Sequence, residues 1–164
     1  MLIRKATAAD TAAIVDLFDA THTEEEEGRT TIGWLRGIYP TVKVVETGLS
    51  CDDLYVMEDG GVLVAICRIN AEQGECYPGA PWLYAAPPEQ VLVLHTLIVA
   101  PGQKDKGDGS SFVAYYEEEA RRRGAVGELT PVVRAGSSTS KDKATGKMVR
   151  YGTVIEAEIE QELF

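Results

Sequence analysis

The residues best suited to chemistry lie in one stretch of the sequence, VLVLHTLIVAPGQKDKGDGSS, residues 91–111. It places His95, one of two histidines, inside an otherwise apolar run. The run is followed by Lys104, Asp105, Lys106, Gly107, Asp108, Gly109 and Ser110, just ahead of an amphipathic segment. Glycines permit close approach and φ values that other residues avoid. Backbone N–H groups exposed at a helix start form an anion site. With Lys104 and Lys106 adding positive charge, the amides of this turn suit a phosphorylated ligand, and a pyrophosphate in particular. A glycine pair ahead of a helix is also ordinary turn chemistry, so the turn by itself leaves both readings open.

Two common nucleotide sites are excluded. The turn lacks the G-x-x-x-x-G-K-[ST] pattern of a Walker loop. It also lacks the third glycine of G-x-G-x-x-G and does not follow an N-terminal βαβ unit. Cys51, Cys67 and Cys76 form an odd set with no C-x-x-C spacing, so no metal site is expected and the thiols read as reduced, as in a cytoplasmic protein. His95 has two readings: a proton acceptor near a reacting group, or a buried histidine held by hydrogen bonds. Strict strand alternation puts it on the same face as Leu97 and Val99.

The elements that must position these residues follow from periodicity. Residues 2–6 read as a short strand. Thr7 caps a helix with Asp10 as its third residue, and Ala13, Ile14, Leu17 and Phe18 give that helix one apolar face. Four adjacent carboxylates in TEEEEG, residues 23–28, repel one another, so the helix is expected to fade near Thr21 and the segment to be a solvated loop. Ile32, Trp34, Leu35 and Ile38 suggest a second helical piece ended by Pro40, with another over 42–48. Residues 54–58 and 62–70 are apolar and β-branched and flank Asp59-Gly60-Gly61, which predicts a hairpin. Residues 71–89 are rich in glycine and proline and read as a long surface excursion. Residues 91–101 form a buried strand stopped by Pro101. The stretch SSFVAYYEEEARRRG gives a helix with Phe112, Val113, Tyr116 and Ala120 on one face and arginines at its C-terminal end, capped by Gly124. Further strands are expected at 129–133 and 153–159, with a polar stretch at 136–147 between them.

An apolar strand ending LIVAP, then KDKGDG opening a helix, resembles the GNAT acetyltransferase family, whose signature is V-x-P followed by [QR]-x-x-G-x-[GA]. Lys104 takes the place of the usual glutamine or arginine, with Gln103 beside it. The match of element order runs from residue 3 to about residue 133 and is most specific over 91–124. The resemblance implies one α/β (α+β) domain over residues 1–164, with a mixed, mostly antiparallel central sheet flanked by helices. It implies acetyl-CoA as cosubstrate, its pyrophosphate held by amides from Lys104 to Ser110 in the turn between the central strand and the following helix. The backbone of Leu97, Ile98 and Val99 would run beside the pantetheine arm. It also implies direct attack by an amine on the thioester, with the Val99 N–H polarising the carbonyl. Family members carry a tyrosine on a later helix that protonates the leaving thiolate. Aligned on Ala144 and Gly152, Lys141 falls at the preceding asparagine of that pattern and Met148 at the tyrosine, which leaves Tyr151 as the nearest substitute.

In this family the segments GWLRGIYP and YPGAPWLY border the acceptor, and Trp34, Tyr39, Trp82 and Tyr84 could form an aromatic wall for it. Beside TEEEE such a wall would favour an ammonium group; ordinary packing and a solvated acidic face is the other reading. The formal charge of −10 disfavours nucleic acid and anionic membranes as partners, and no segment approaches the length of a membrane span. A small amine-bearing acceptor is the partner expected, and the architecture allows a homodimer. The competing functions are an acyl-CoA-binding sensor module without turnover and a phosphate binder without acyl chemistry.

Overall fold

The computed structural model describes residues 1–30, 32–72, 91–103, 106–123, 127–129, 139–141 and 148–150. Strand β1 (Leu2–Lys5) leads through a 3-10 turn (Ala8–Asp10) into helix α1 (Thr11–Glu26), and α2 spans Val42–Ser50. Strands β2 (Leu54–Asp59), β3 (Val62–Asn70) and β4 (Val91–Val99) follow, then α3 (Asp108–Arg122) and β5 (Gly127–Leu129). These five strands form one sheet in the order β1-β2-β3-β4-β5. Pairings are antiparallel up to β4, and β4 pairs with β5 in parallel. Strands β6 (Thr139–Lys141) and β7 (Met148–Arg150) form a separate antiparallel pair.

Each face of the sheet carries its own core. On one face Tyr55, Cys67, Ile69, Leu92 and Leu94 meet Phe112, Tyr116 and Ala120 of α3. On the other Leu54, Val56, Ile66 and Ile98 meet Ile14, Leu17 and Phe18 of α1 and Val45 of α2. The Tyr116 hydroxyl donates to the Leu92 carbonyl, which ties α3 to the backbone of β4. The hairpin at 59–62 and the Thr7–Asp10 capping box stand where the sequence puts them, and α3 begins at Asp108, two residues ahead of the expected SSFVAYY stretch.

Two local expectations are corrected. Helix α1 does not fade at Thr21 but runs to Glu26, because its carboxylates have partners other than one another. Arg29 pairs with Glu24 and Glu27, and Arg36 with Glu26 and Asp19. Residues 32–38 form no helix. The Glu25 carboxylate takes the N–H groups of Ile32 (2.5 Å) and Gly33 (3.0 Å), and Gly33 and Gly37 have positive φ. A segment held by its amides to a side chain behind it, with two left-handed glycines, cannot continue as a helix. The expected strand at 153–159, the excursion at 73–89 and the Gly124 cap lie outside the described residues.

Candidate active site

The site is built on an irregularity in β4. Register runs Ala65↔Val99 and Ile66↔Ile98, then Arg68↔His95, so Thr96 and Leu97 together oppose Cys67. This is a β-bulge, and Thr96 takes the left-handed conformation, φ 51°. A β-branched residue there costs on the order of 1–2 kcal/mol. Strain of this kind is found concentrated at functional sites.

The bulge reverses the facing of β4. Leu92 and Leu94 belong to the α3-side core, and beyond the bulge it is Leu97 and Val99 that pack there, while Ile98 joins the opposite core. His95 therefore lies on the α1–α2 face, across from Leu97 and Val99, and the expectation that the three share a face is corrected. The cross-strand neighbour of His95 is Arg68, which shares the face of Leu54. His95 Nε2 is 2.9 Å from the Glu72 carbonyl. A carbonyl only accepts, so Nε2 carries the proton and Nδ1 is the basic nitrogen of the neutral ring. Burial lowers the pKa of His95, outweighing the opposing pull of the Glu72 carbonyl, so the ring is neutral at pH 7.

Beyond the bulge, alternation of the ladder decides which backbone groups are used. The Ala100 N–H bonds the Val64 carbonyl at 2.8 Å. In an antiparallel pair every second residue points its N–H and C=O away from the partner. Ile98 thus bonds to β3, whereas Val99, and Leu97 by the same alternation, turn their N–H and C=O toward the β5 side. The described parallel ladder on that side comprises Val91, Leu92 and Val93 against 127–129.

At the end of β4 the chain makes a 3-10 turn (Pro101–Gln103) and reaches Gly107, φ 87°, the N-cap of α3. The first bond of the helix is Ser111 N–H to the Gly107 carbonyl, 2.9 Å. The amides of Gly107, Asp108, Gly109 and Ser110 precede it and have no acceptor within the helix. Gly109 sits against β4: a Cβ there would lie 3.8 Å from Val99 Cγ2. Lys106 is exposed, and Asp108 is buried. Lys104 and Asp105 lie outside the described residues, as do Trp82, Tyr84 and Tyr151.

On the α1–α2 face the loop between the two helices meets the bulge. Trp34 and Tyr39 form an edge-to-face pair, ring centroids 5.4 Å apart at 78°. The Tyr39 hydroxyl contacts the Thr96 hydroxyl. Two expected acceptor residues are thus brought together, and at the strained residue. The clamp that holds them was missed in the sequence. Buried His22 places Nε2 3.0 Å from the Tyr39 carbonyl, Glu25 holds Ile32 and Gly33, and Arg36 reaches Asp19, Thr23 and Glu26 at 2.6, 3.0 and 2.8 Å. The helical spacing of Asp19, His22, Thr23, Glu25 and Glu26 was the available signal. The TEEEE run is a set of tethers for this loop.

A broad groove of about 680 Å³ lies at the other end of the sheet, where β1 and β3 finish and α3 ends, lined by Lys5, Asp52, Asp53, Arg68 and Arg123 among others. Its charged side chains are already paired with one another or with Glu119, and its lining includes Arg68 and Glu72, the cross-strand neighbour and the hydrogen-bond partner of His95. The residues aligned with the family's asparagine and tyrosine are also relocated: Lys141 and Met148 are cross-strand partners in the β6–β7 pair, not residues of a helix. Among the described residues no group of side chains could hold a metal ion, and no helix is long and apolar enough to cross a membrane.

The frame of the site is thus a strand bulged at its middle, with backbone turned outward beyond the bulge and a glycine-led helix start at its end. The chain belongs to the acetyltransferase (GNAT) family, whose model matches residues 13–136. Solved structures agree in fold. A Staphylococcus aureus Mu50 protein assigned as an acetyltransferase superposes with a TM-score of 0.61 at 23% identity, over 79% of each chain. A GNAT-family acetyltransferase from Streptococcus agalactiae 2603 gives 0.65 at 14%, over 79% of this chain and 73% of its own. A Salmonella typhimurium protein assigned as an acetyltransferase, determined with its cofactor acetyl-CoA, gives 0.55 at 19%, over 79% and 68%. No curated protein matches the chain by sequence.

Proposed function

We propose that this chain, as one acetyltransferase domain, moves the acetyl group of acetyl-CoA to the nitrogen of a small amine. The observation that carries the proposal is the outward-facing backbone of Val99 beyond the β4 bulge, with the start of α3 so near that a Cβ at Gly109 would lie 3.8 Å from Val99 Cγ2. Backbone groups of Leu97 and Val99 offer an extended ligand arm the bonds of an additional strand, while Ile98 is committed to β3 and contributes packing. Amides of Gly107, Asp108, Gly109 and Ser110, with Lys106 and the preceding Lys104 and Asp105 segment, suit a pyrophosphate. The Salmonella protein, determined with acetyl-CoA, supports the choice of ligand.

In the proposed reaction the amine nitrogen bonds to the thioester carbonyl carbon, the C–S bond breaks, and the sulfur leaves as thiolate. The Val99 N–H is the donor placed to polarise the carbonyl oxygen. Trp34 and Tyr39 border the acceptor, with Trp82 and Tyr84 assigned to the same wall. The proton lost from nitrogen goes to a base, for which His95 Nδ1 has the right tautomer and neutral state, acting through water given its face. Tyr151 is assigned to protonate the thiolate. Release of free thiol from acetyl-CoA, followed with a thiol reagent across a panel of primary amines, tests the proposal. Amine-dependent release supports it. Tight binding without release identifies a sensor module instead, and binding of ATP in place of acetyl-CoA removes the acyl chemistry.

A further inference from the structure

The two cores explain why β4 is bulged but not why a threonine occupies the bulge. Leu92 and Leu94 before it and Leu97 and Val99 after it pack on the same face, which needs one extra residue between them. Glycine would supply that residue, and would hold φ 51° without the cost that a β-branched side chain carries there. What the threonine adds is a hydroxyl, and that hydroxyl meets the Tyr39 hydroxyl. The backbone of Tyr39 is itself fixed. Its N–H donates to the Leu35 carbonyl at 3.0 Å, and its carbonyl accepts from Nε2 of buried His22 at 3.0 Å. Trp34 packs edge-on against its ring. The Tyr39 side chain is therefore a strut between α1 and the bulge.

The strut acts where the sheet does not. The β3–β4 register passes from Ile66↔Ile98 to Arg68↔His95 over Thr96 and Leu97. The ladder thus aligns the strand on either side of these two residues but not the two themselves. His95, the base of the proposed reaction, lies directly before them, and Val99, the donor to the thioester carbonyl, lies just beyond. We infer that Thr96 and Tyr39 are positioning residues. Their hydroxyl contact fixes the turn of β4 between His95 and Val99, and with it the placement of the thioester, without touching the reacting atoms. This rests on the proposed transfer at the β4 bulge. The coenzyme A contacts proposed at Val99 and the start of α3 lie beyond the bulge, where the bond of the Ala100 N–H to the Val64 carbonyl, 2.8 Å, keeps the ladder in place. Loss of the strut should therefore slow the transfer step and leave cofactor affinity alone.

Variants of the full chain separate the hydroxyl from the strain. Thr96→Ser keeps the hydroxyl, Thr96→Val keeps the branched shape without it, Thr96→Gly removes hydroxyl and strain together, and Tyr39→Phe removes the other partner. Thiol release from acetyl-CoA, with the amine the wild type uses best, gives kcat and KM, and calorimetric titration gives Kd for coenzyme A. Thr96→Ser should stay within about twofold of the wild type in kcat. Thr96→Val, Thr96→Gly and Tyr39→Phe should each lose about three- to tenfold, as one hydrogen bond of ordinary strength predicts. Their KM for acetyl-CoA and Kd for coenzyme A should be unchanged. Thr96→Val combined with Tyr39→Phe should lose no more than either alone. The loss in Thr96→Gly, whose backbone is unstrained, cannot come from a strained fold. Wild-type kcat in Thr96→Val or Thr96→Gly, additive losses in the double variant, or a weakening of coenzyme A as large as the fall in kcat overturns the inference while the transferase reading stands. A wild-type chain that binds coenzyme A but releases no thiol with any amine removes both.

Discussion

Replacing Glu25 by alanine removes the one group that holds the N–H of Ile32 and of Gly33, at 2.5 and 3.0 Å. Hydrogen bonds to a charged partner contribute about 1.5–3 kcal/mol each, and these amides are half-buried, so water recovers part of the loss. The docked loop should lose about 2–3 kcal/mol, which raises its open population by roughly 30- to 150-fold. His22 on the Tyr39 carbonyl and Arg36 on α1 keep it from dissociating altogether. The assay is native-state hydrogen exchange. Amides of residues 32–39 should exchange faster by that factor, while β2 and β3 amides, at the centre of the sheet, remain at wild-type rates. Glu25→Gln, which keeps one acceptor oxygen, should fall between the two. Unchanged exchange in the loop, or an equal rise in the sheet, would refute the claim that the acidic run is a local clamp.

Other consequences concern stability. Arg68 and Asp53 form a bidentate pair at 2.8 and 2.6 Å, both nearly buried, with Asn70 also on Asp53 at 2.7 Å. Arg68→Met leaves the Asp53 carboxylate buried without its cation and should cost about 3–5 kcal/mol in urea unfolding, whereas Arg68→Met with Asp53→Asn should recover a large part of it; a loss under about 1 kcal/mol in the single variant contradicts the reading. Hydrogen bonds from Arg122, and then from Arg123, hold the Glu119 carboxyl down at about 2 against an ordinary 4.5. Because the folded-state value is the lower one, this stabilisation is complete above pH 4.5 and is lost as pH falls toward 2. It amounts to about 2–3 kcal/mol after screening at the exposed Arg122. Glu119→Gln should flatten the acid limb of the stability curve over that window, and an unchanged limb would count against the ion cluster.

What the sequence made legible was local and periodic. The hairpin followed from Asp59-Gly60-Gly61, α3 from its spacing of Phe112, Tyr116 and Ala120, and the helix-start site from Gly107 at the end of an apolar strand. The bulge was not legible. VLVLHTLIV reads as continuous strand, and nothing in Thr96 announces a left-handed conformation forced by its neighbours in β3. That single extra residue moved His95 to the other face, an error strict alternation could not avoid. The acidic run was misread because repulsion was weighed within α1 alone, whereas Arg29 and Arg36 return to it from the following loop. Pairing across such a loop is tertiary information, and so is the Tyr39 contact with Thr96.

The central claim is that acetyl-CoA lies along β4 beyond the bulge and ends at the start of α3. Amide NMR mapping of the full chain with acetyl-CoA, coenzyme A and ATP addresses it most directly. The account predicts selective shifts with the two coenzyme A species at Leu97, Val99, Gly107, Gly109 and Ser110, and little change on the far side of the sheet at Lys5 and Asp52. Equal response to ATP, or shifts centred on the groove by Lys5 and Arg123, would contradict it.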